Sequence, residues 1–209
     1  WTTPDGFSLN LNGSRTVTLD QNVFARSANQ DYTLMFWFRT SEYNVPLFSA
    51  MVNDSNGTRI GFENGFLTFR NNRMRLRTTG NFANGLWHHY VLTVSRIYNS
   101  AAIYVDGQMV NTFTTDTLTG LSGVMQLGGR GHIDDLALFE QALPKSLVEA
   151  YDNLSPHGDE MGLVAWLPFS EQRENVNGIM EEVFSINNQR LVRKLRSEER
   201  FSRHAETDL

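Results

Sequence analysis

The 209 residues include no cysteine. That excludes disulfide bridges and thiolate metal centres and leaves stability to the hydrophobic core. A positive surplus is also missing: 18 Lys and Arg stand against 23 Asp and Glu, for a net charge of -5. Sequence-independent nucleic-acid binding is driven by counterion release around Lys and Arg, so it is not expected of the whole molecule. No apolar run is long enough to span a bilayer, and no basic-then-apolar leader precedes Trp1. A first residue other than Met suggests a mature or excised segment, which leaves room for a leader that was removed. The signatures of common catalytic sites are absent as well. There is no Gly-x-Ser-x-Gly elbow, no His-Glu-x-x-His helix and no Gly-rich phosphate loop. A glycoside hydrolase needs two carboxylates across a sugar, and no strand reads Glu-x-Asp-x-Glu. Glu181 and Glu182 are adjacent and would face opposite sides of a strand, and Glu171 sits by a turn.

What is present is a β pattern. Sixteen Gly and 14 Phe, with many Asn, Thr and Ser, suit short strands joined by tight turns. Period-two alternation predicts strands at 7–11, 16–19, 32–40, 46–52, 58–62, 66–69, 74–78, 87–95, 101–105, 108–113, 124–127 and 133–139. In the third of these, Tyr32, Leu34, Phe36 and Phe38 share one face and Thr33, Met35, Trp37 and Arg39 the other. Asp106-Gly107 is a strong type I′ hairpin signal, and Asn71-Asn72 tolerates the positive φ of another tight turn. Residues 144–151 change to helical spacing, with Pro144 suited to a first turn. Strand signals recurring about every ten residues predict a sandwich or barrel. A domain edge is expected in the Asn-, Ser-, Pro- and Gly-containing stretch at 152–159.

Several of these segments carry a family resemblance. Leu86-Trp87-His88-His89-Tyr90-Val91-Leu92-Thr93-Val94, Ile103-Tyr104-Val105-Asp106-Gly107 and Gly131-His132-Ile133-Asp134-Asp135-Leu136-Ala137-Leu138-Phe139 followed by Gln141-Ala142-Leu143 resemble the laminin G-like and pentraxin-like group, within the concanavalin A-like lectins and glucanases. Residues 7–17 and 32–40 resemble its opening strands. The resemblance implies an all-β antiparallel jelly-roll sandwich of two curved sheets at 1–153, with a short closing helix. It leaves 154–209 as an extension. Gly162-Leu163-Val164-Ala165-Trp166-Leu167-Pro168-Phe169 is similar to the segment that opens such a repeat, so the extension either packs back on the sandwich or begins a following module. The charged end at 188–209 is read as a solvated helix, a docking segment or disorder.

Candidate ligand-binding residues fall in two groups. Arg73, Arg75 and Arg77 alternate with Met74 and Leu76, which spaces three guanidinium groups at roughly 7 Å along one strand face. They would grip repeated sulfate or carboxylate groups, or form an ordinary solvated face paired with nearby Glu and Asp. The resemblance favours acidic glycans. Trp37 and Arg39 have the outward parity of their strand, as Trp87 and His89 have on theirs, and suit either sugar stacking or cover by a crossing loop. His88 reads as a core histidine bonded to backbone. Asp134 shares parity with Leu136 and Leu138, so its carboxylate faces an apolar side and needs a partner. The resemblance implies a structural Ca2+ at Asp134, although the acidic residues usual after the first turn are replaced by Ser14-Arg15-Thr16. The other reading pairs Asp134 with Arg15 or with backbone N–H groups.

The function expected is a non-catalytic extracellular or cell-surface binding module for carbohydrate, including acidic glycan, or for protein. A structural or assembly role in a larger surface protein is the alternative, with the charged end docking on a partner or neighbouring module. A polysaccharide hydrolase is a distant third.

Overall fold

The computed structural model describes residues 8–14 and 16–169. Phe7, Arg15 and the charged end at 188–209, with the expectations placed on them, lie outside the described residues. In chain order the elements begin with β1 (Leu9–Asn12), β2 (Val17–Thr18), α1 (Gln21–Phe24), β3 (Tyr32–Arg39), β4 (Val45–Met51) and β5 (Gly57–Glu63). β6 (Phe66–Asn71), β7 (Met74–Arg77), β8 (Trp87–Ser95), β9 (Ser100–Val105) and β10 (Gln108–Phe113) follow. The order closes with β11 (Val124–Leu127), β12 (Arg130–Phe139), α2 (Lys145–Tyr151) and β13 (Leu163–Leu167). All pairings are antiparallel. One sheet runs β1-β12-β3-β8-β9-β10 with β13 also on β12, and the other runs β2-β11-β4-β5-β6-β7. This is the sandwich that the alternation left open beside a barrel, and the jelly-roll that the resemblance implies.

The core lies between the two sheets. Tyr32, Leu34, Phe36 and Phe38 of β3 are buried with Tyr90 and Leu92 of β8, facing Phe48, Ile60, Phe62 and Phe69 of the other sheet. Phe38 and Phe62 meet edge-on across the gap, ring centres 5.8 Å apart. The outer face of the seven-stranded sheet is closed over part of its area. Met35, Val91, Tyr104 and Phe139 pack there under Leu143, Val148 and Trp166, brought by α2, its preceding loop and β13. β3 is therefore buried on both faces except at Arg39.

Turn chemistry sets the registers that matter for a site. Asn64 and Gly65 have φ of 51° and 81°, the type I′ combination, and fix Glu63 opposite Phe66. Four residues further along, that register puts Arg59 opposite Arg70. Asn72 has φ of 51° and opens the next tight turn, which sets Arg70 opposite Arg75. Asn71 belongs to the strand, with its amide nitrogen donating to the hydroxyls of Thr58 and Thr119.

The parity expected of Asp134 fails at a β-bulge. Asp135 has φ of 46° and the pairing of β12 with β3 shifts between Asp134 and Ala137. The extra residue turns Leu136 and Leu138 into the core while Asp134, opposite Trp37, stays on the outer face. The bulge also divides one edge of β12. β1 pairs with Arg130 to Ile133 and β13 with Leu136 to Phe139. The boundary expected at 153/154 falls in the connection from α2 to β13, and the strand beyond it belongs to the same sheet.

Candidate functional site

The candidate residues lie on opposite sides of the sandwich, so they do not form one site. On the outer face of the six-stranded sheet, Arg59, Arg70 and Arg75 stand side by side on β5, β6 and β7. Adjacent strands are about 4.8 Å apart, so this row is denser than a stripe along one strand. Arg77 lies one outward position along β7, its guanidinium 5.3 Å from the ring centre of Phe66, which is 42% exposed. Tyr43, also exposed, sits against Gly65 at the same end. Arg75 and Arg77 thus join a surface with Arg59, Arg70 and Phe66, which strand-by-strand reading missed. The signal was in the sequence, because the two tight turns fix both registers. Arg73 falls in the turn before β7 and is exposed, so the predicted stripe of three shortens to two.

One carboxylate answers this row. Arg70 donates through Nε to Glu63 Oε1 and through Nη2 to Glu63 Oε2 at 3.0 Å, and Arg75 Nη2 donates to the same Oε2. Partial burial raises the Glu63 pKa, but the hydrogen bonds and charges of Arg70 and Arg75 outweigh it and leave the carboxyl below its ordinary value. The Arg70 guanidinium is held above its own. Arg59 donates to the Asp54 carbonyl at 3.3 Å and has no ion-pair partner among the described residues.

On the outer face of the other sheet, His132, Arg39 and Trp87 form a row across β12, β3 and β8. Arg39 lies 5.5 Å from the Trp87 ring centre, and His132 meets that ring edge-on at 6.1 Å. The ring of Trp37 is not an exposed platform. It is 4% exposed and stacks on His89 at 4.8 Å, with interplanar angle 13°. His89 in turn lies 3.6 Å from the Asp152 carboxylate, just beyond α2. His88 is a core histidine, but its partners are side chains rather than backbone: Asp106 at 2.7 Å on Nδ1 and Asn84 at 3.0 Å on Nε2.

Asp134 is 1% exposed, and its Oδ1 accepts the N–H of Asp135 at 2.9 Å. Asp135, unremarked in the sequence, accepts from Trp166 Nε1 at 2.8 Å and from the Ser155 hydroxyl. Calcium would draw on six to eight oxygens. Among the described residues no three His, Cys, Asp or Glu side chains gather in a group that could hold a metal ion. An ion at Asp134 would therefore take its remaining oxygens from backbone carbonyls and water rather than from a cluster of described carboxylates.

Comparison with known proteins agrees with this architecture. The profile of the concanavalin A-like lectin/glucanases superfamily matches residues 11–149. Mouse sushi, von Willebrand factor type A, EGF and pentraxin domain-containing protein 1 is 27% identical over 135 residues, covering 61% of this chain and 4% of that protein. Non-toxic nonhemagglutinin type E of Clostridium botulinum is 22% identical over 138 residues, covering 56% and 12%. The chain thus corresponds to a small part of either relative. Among solved structures, the binding domain of Paraclostridial Mosquitocidal Protein 1 has TM-score 0.57 and 19% identity, over 69% of this chain and 42% of that one. Domain 4 of AbnA, an extracellular arabinanase from Geobacillus stearothermophilus solved with arabinotriose, has TM-score 0.56 and 21% identity, over 70% and 76%. At these identities the two structures share the fold. Two antiparallel sheets, a closing helix and a profile match over most of the chain lead to one conclusion: the chain belongs to the concanavalin A-like lectin/glucanases superfamily.

Proposed function

We propose that this chain is a non-catalytic glycan-binding module of an extracellular protein, and that an acidic glycan lies across β5, β6 and β7 on the outer face of the six-stranded sheet. The observation that carries the reading is the row Arg59, Arg70 and Arg75, with Arg77 laid on Phe66 beside it and Glu63 as the one paired carboxylate. Guanidinium forks match carboxylate and sulfate geometry, and an aromatic ring next to them offers an apolar surface for a sugar face. In a chain of net charge -5, such a local concentration of Arg is a departure from the average. Fold neighbours solved as the binding domain of a mosquitocidal protein and as an arabinanase domain with arabinotriose support a binding role.

Immobilised heparin and an uncharged polysaccharide provide the test. The wild-type chain is expected to be retained on heparin and released by salt, because exposed charges are screened at high ionic strength. Arg59→Ala and Arg75→Ala are each expected to weaken binding about fivefold, the upper end for an exposed ion pair. Retention unaffected by both substitutions would remove this face from consideration.

A further inference from the structure

Glu63 does not sit beside the arginines that it pairs with. Its cross-strand neighbour is Phe66, while Arg70 stands opposite Arg59 and Arg75 stands beyond Arg70 on β7. The pairs are therefore made diagonally over the sheet, between side chains that are not direct cross-strand neighbours. The carboxylate thus spans two strands. Both its oxygens are taken by the Arg70 fork, and one of them also accepts from Arg75. All three side chains remain in reach of solvent, Glu63 at 28% and Arg75 at 35% exposure.

We infer that Glu63 is an intramolecular stand-in for the acidic group of the ligand, and that a glycan carboxylate or sulfate binds Arg70 and Arg75 by displacing it. The inference rests on the reading of this face as a glycan site. Three features argue for it. A bidentate Arg–carboxylate pair has the geometry by which a uronate would be recognised, so the fork is already shaped by a group of the right kind. An ion pair this exposed contributes little to folding and is open to exchange. Arg59 and Arg77, which pair with no carboxylate among the described residues, supply a landing place before exchange occurs. The consequence is a threshold on valency. A single small acid gains one contact and loses the one that Glu63 made, whereas a polyanion touching Arg59 or Arg77 at the same time gains a surplus.

Heparin oligosaccharide binding, measured by calorimetry on the full chain, tests the inference with wild type, Glu63→Gln, Arg70→Ala/Arg75→Ala and the triple variant. Glu63→Gln is expected to bind about fivefold tighter than wild type. Adding the same change to the double-arginine variant is expected to yield no gain, because there is then no fork to release. An equal gain in that background would mean that mere loss of a negative charge is responsible, and displacement would be refuted. Glu63→Gln binding no tighter than wild type, with Arg59→Ala still weakening it, would overturn the stand-in while leaving the glycan site in place. No binding by either wild type or Glu63→Gln would overturn the glycan site itself. The carboxyl carbon resonance of Glu63 in the wild-type chain reports without any substitution. It is expected to shift on saturation with oligosaccharide, and an unchanged resonance at saturation refutes displacement.

Discussion

His132 lies where β12 passes beside Arg39 and Trp87, with its Nδ1 3.0 Å from the Ser8 hydroxyl. Burial first, and the charge of Arg39 second, hold its imidazole below the ordinary value. The folded chain therefore takes up this proton less readily than the unfolded one. Its contribution to stability is intact above the unfolded value of about 6.5 and is lost as pH falls from there through the lower folded value. His132→Gln removes the titration. Denaturant unfolding at about pH 7 and about pH 5 should show wild type losing more stability than the variant on acidification, and parallel losses would contradict the assignment. Single residues were also where sequence reading was least secure. The outward parity of Trp37 and Arg39 was legible, but the cover over Trp37 is the His89 ring of the neighbouring strand, itself backed by Asp152, and it leaves no local mark. Asp134 was misplaced because a bulge adds one residue to a strand without altering its composition.

Strands were legible almost throughout, because each had one oily face and turn residues at its ends. α1 was not, since its four residues complete barely one turn and depend on the Asp20 side chain accepting from the N–H of Asn22. The pairing of β13 was also open, because its apolar run suited a return to the sandwich as well as a new start. Its seat depends on Asp135. That carboxylate takes the indole N–H of Trp166 from β13 and the hydroxyl of Ser155 from the preceding connection, from a backbone position with positive φ. Asp135→Ala removes both acceptors and places Ala in a left-handed conformation, at a cost of about 2 to 4 kcal/mol. Asp135→Asn keeps the local preference for that conformation and should cost less. Urea denaturation measures both, and an alanine variant as stable as wild type would show that β13 is held by packing alone.

The arrangement of the whole molecule was legible as a class, from the order of strands and the segments shared with laminin G-like domains, but not as a division of labour between its faces. Which face is open depends on where α2 and β13 settle. An ion at Asp134 that drew mainly on backbone oxygens would be weakly held, so stability is expected to change little with calcium. Melting temperature is expected to be nearly the same with added calcium as with a chelator, and a clear rise with calcium would mean a firmly held ion at Asp134.

The cover over the seven-stranded sheet has a further consequence. With α2 and β13 shutting much of one broad side, a polymer lying along the domain would meet it from the other. Two copies gripping the same strand of glycan would turn their sealed sides away from it. Under the proposed glycan reading, the side turned toward the polysaccharide would thus be set by how this chain closes over its own sheet.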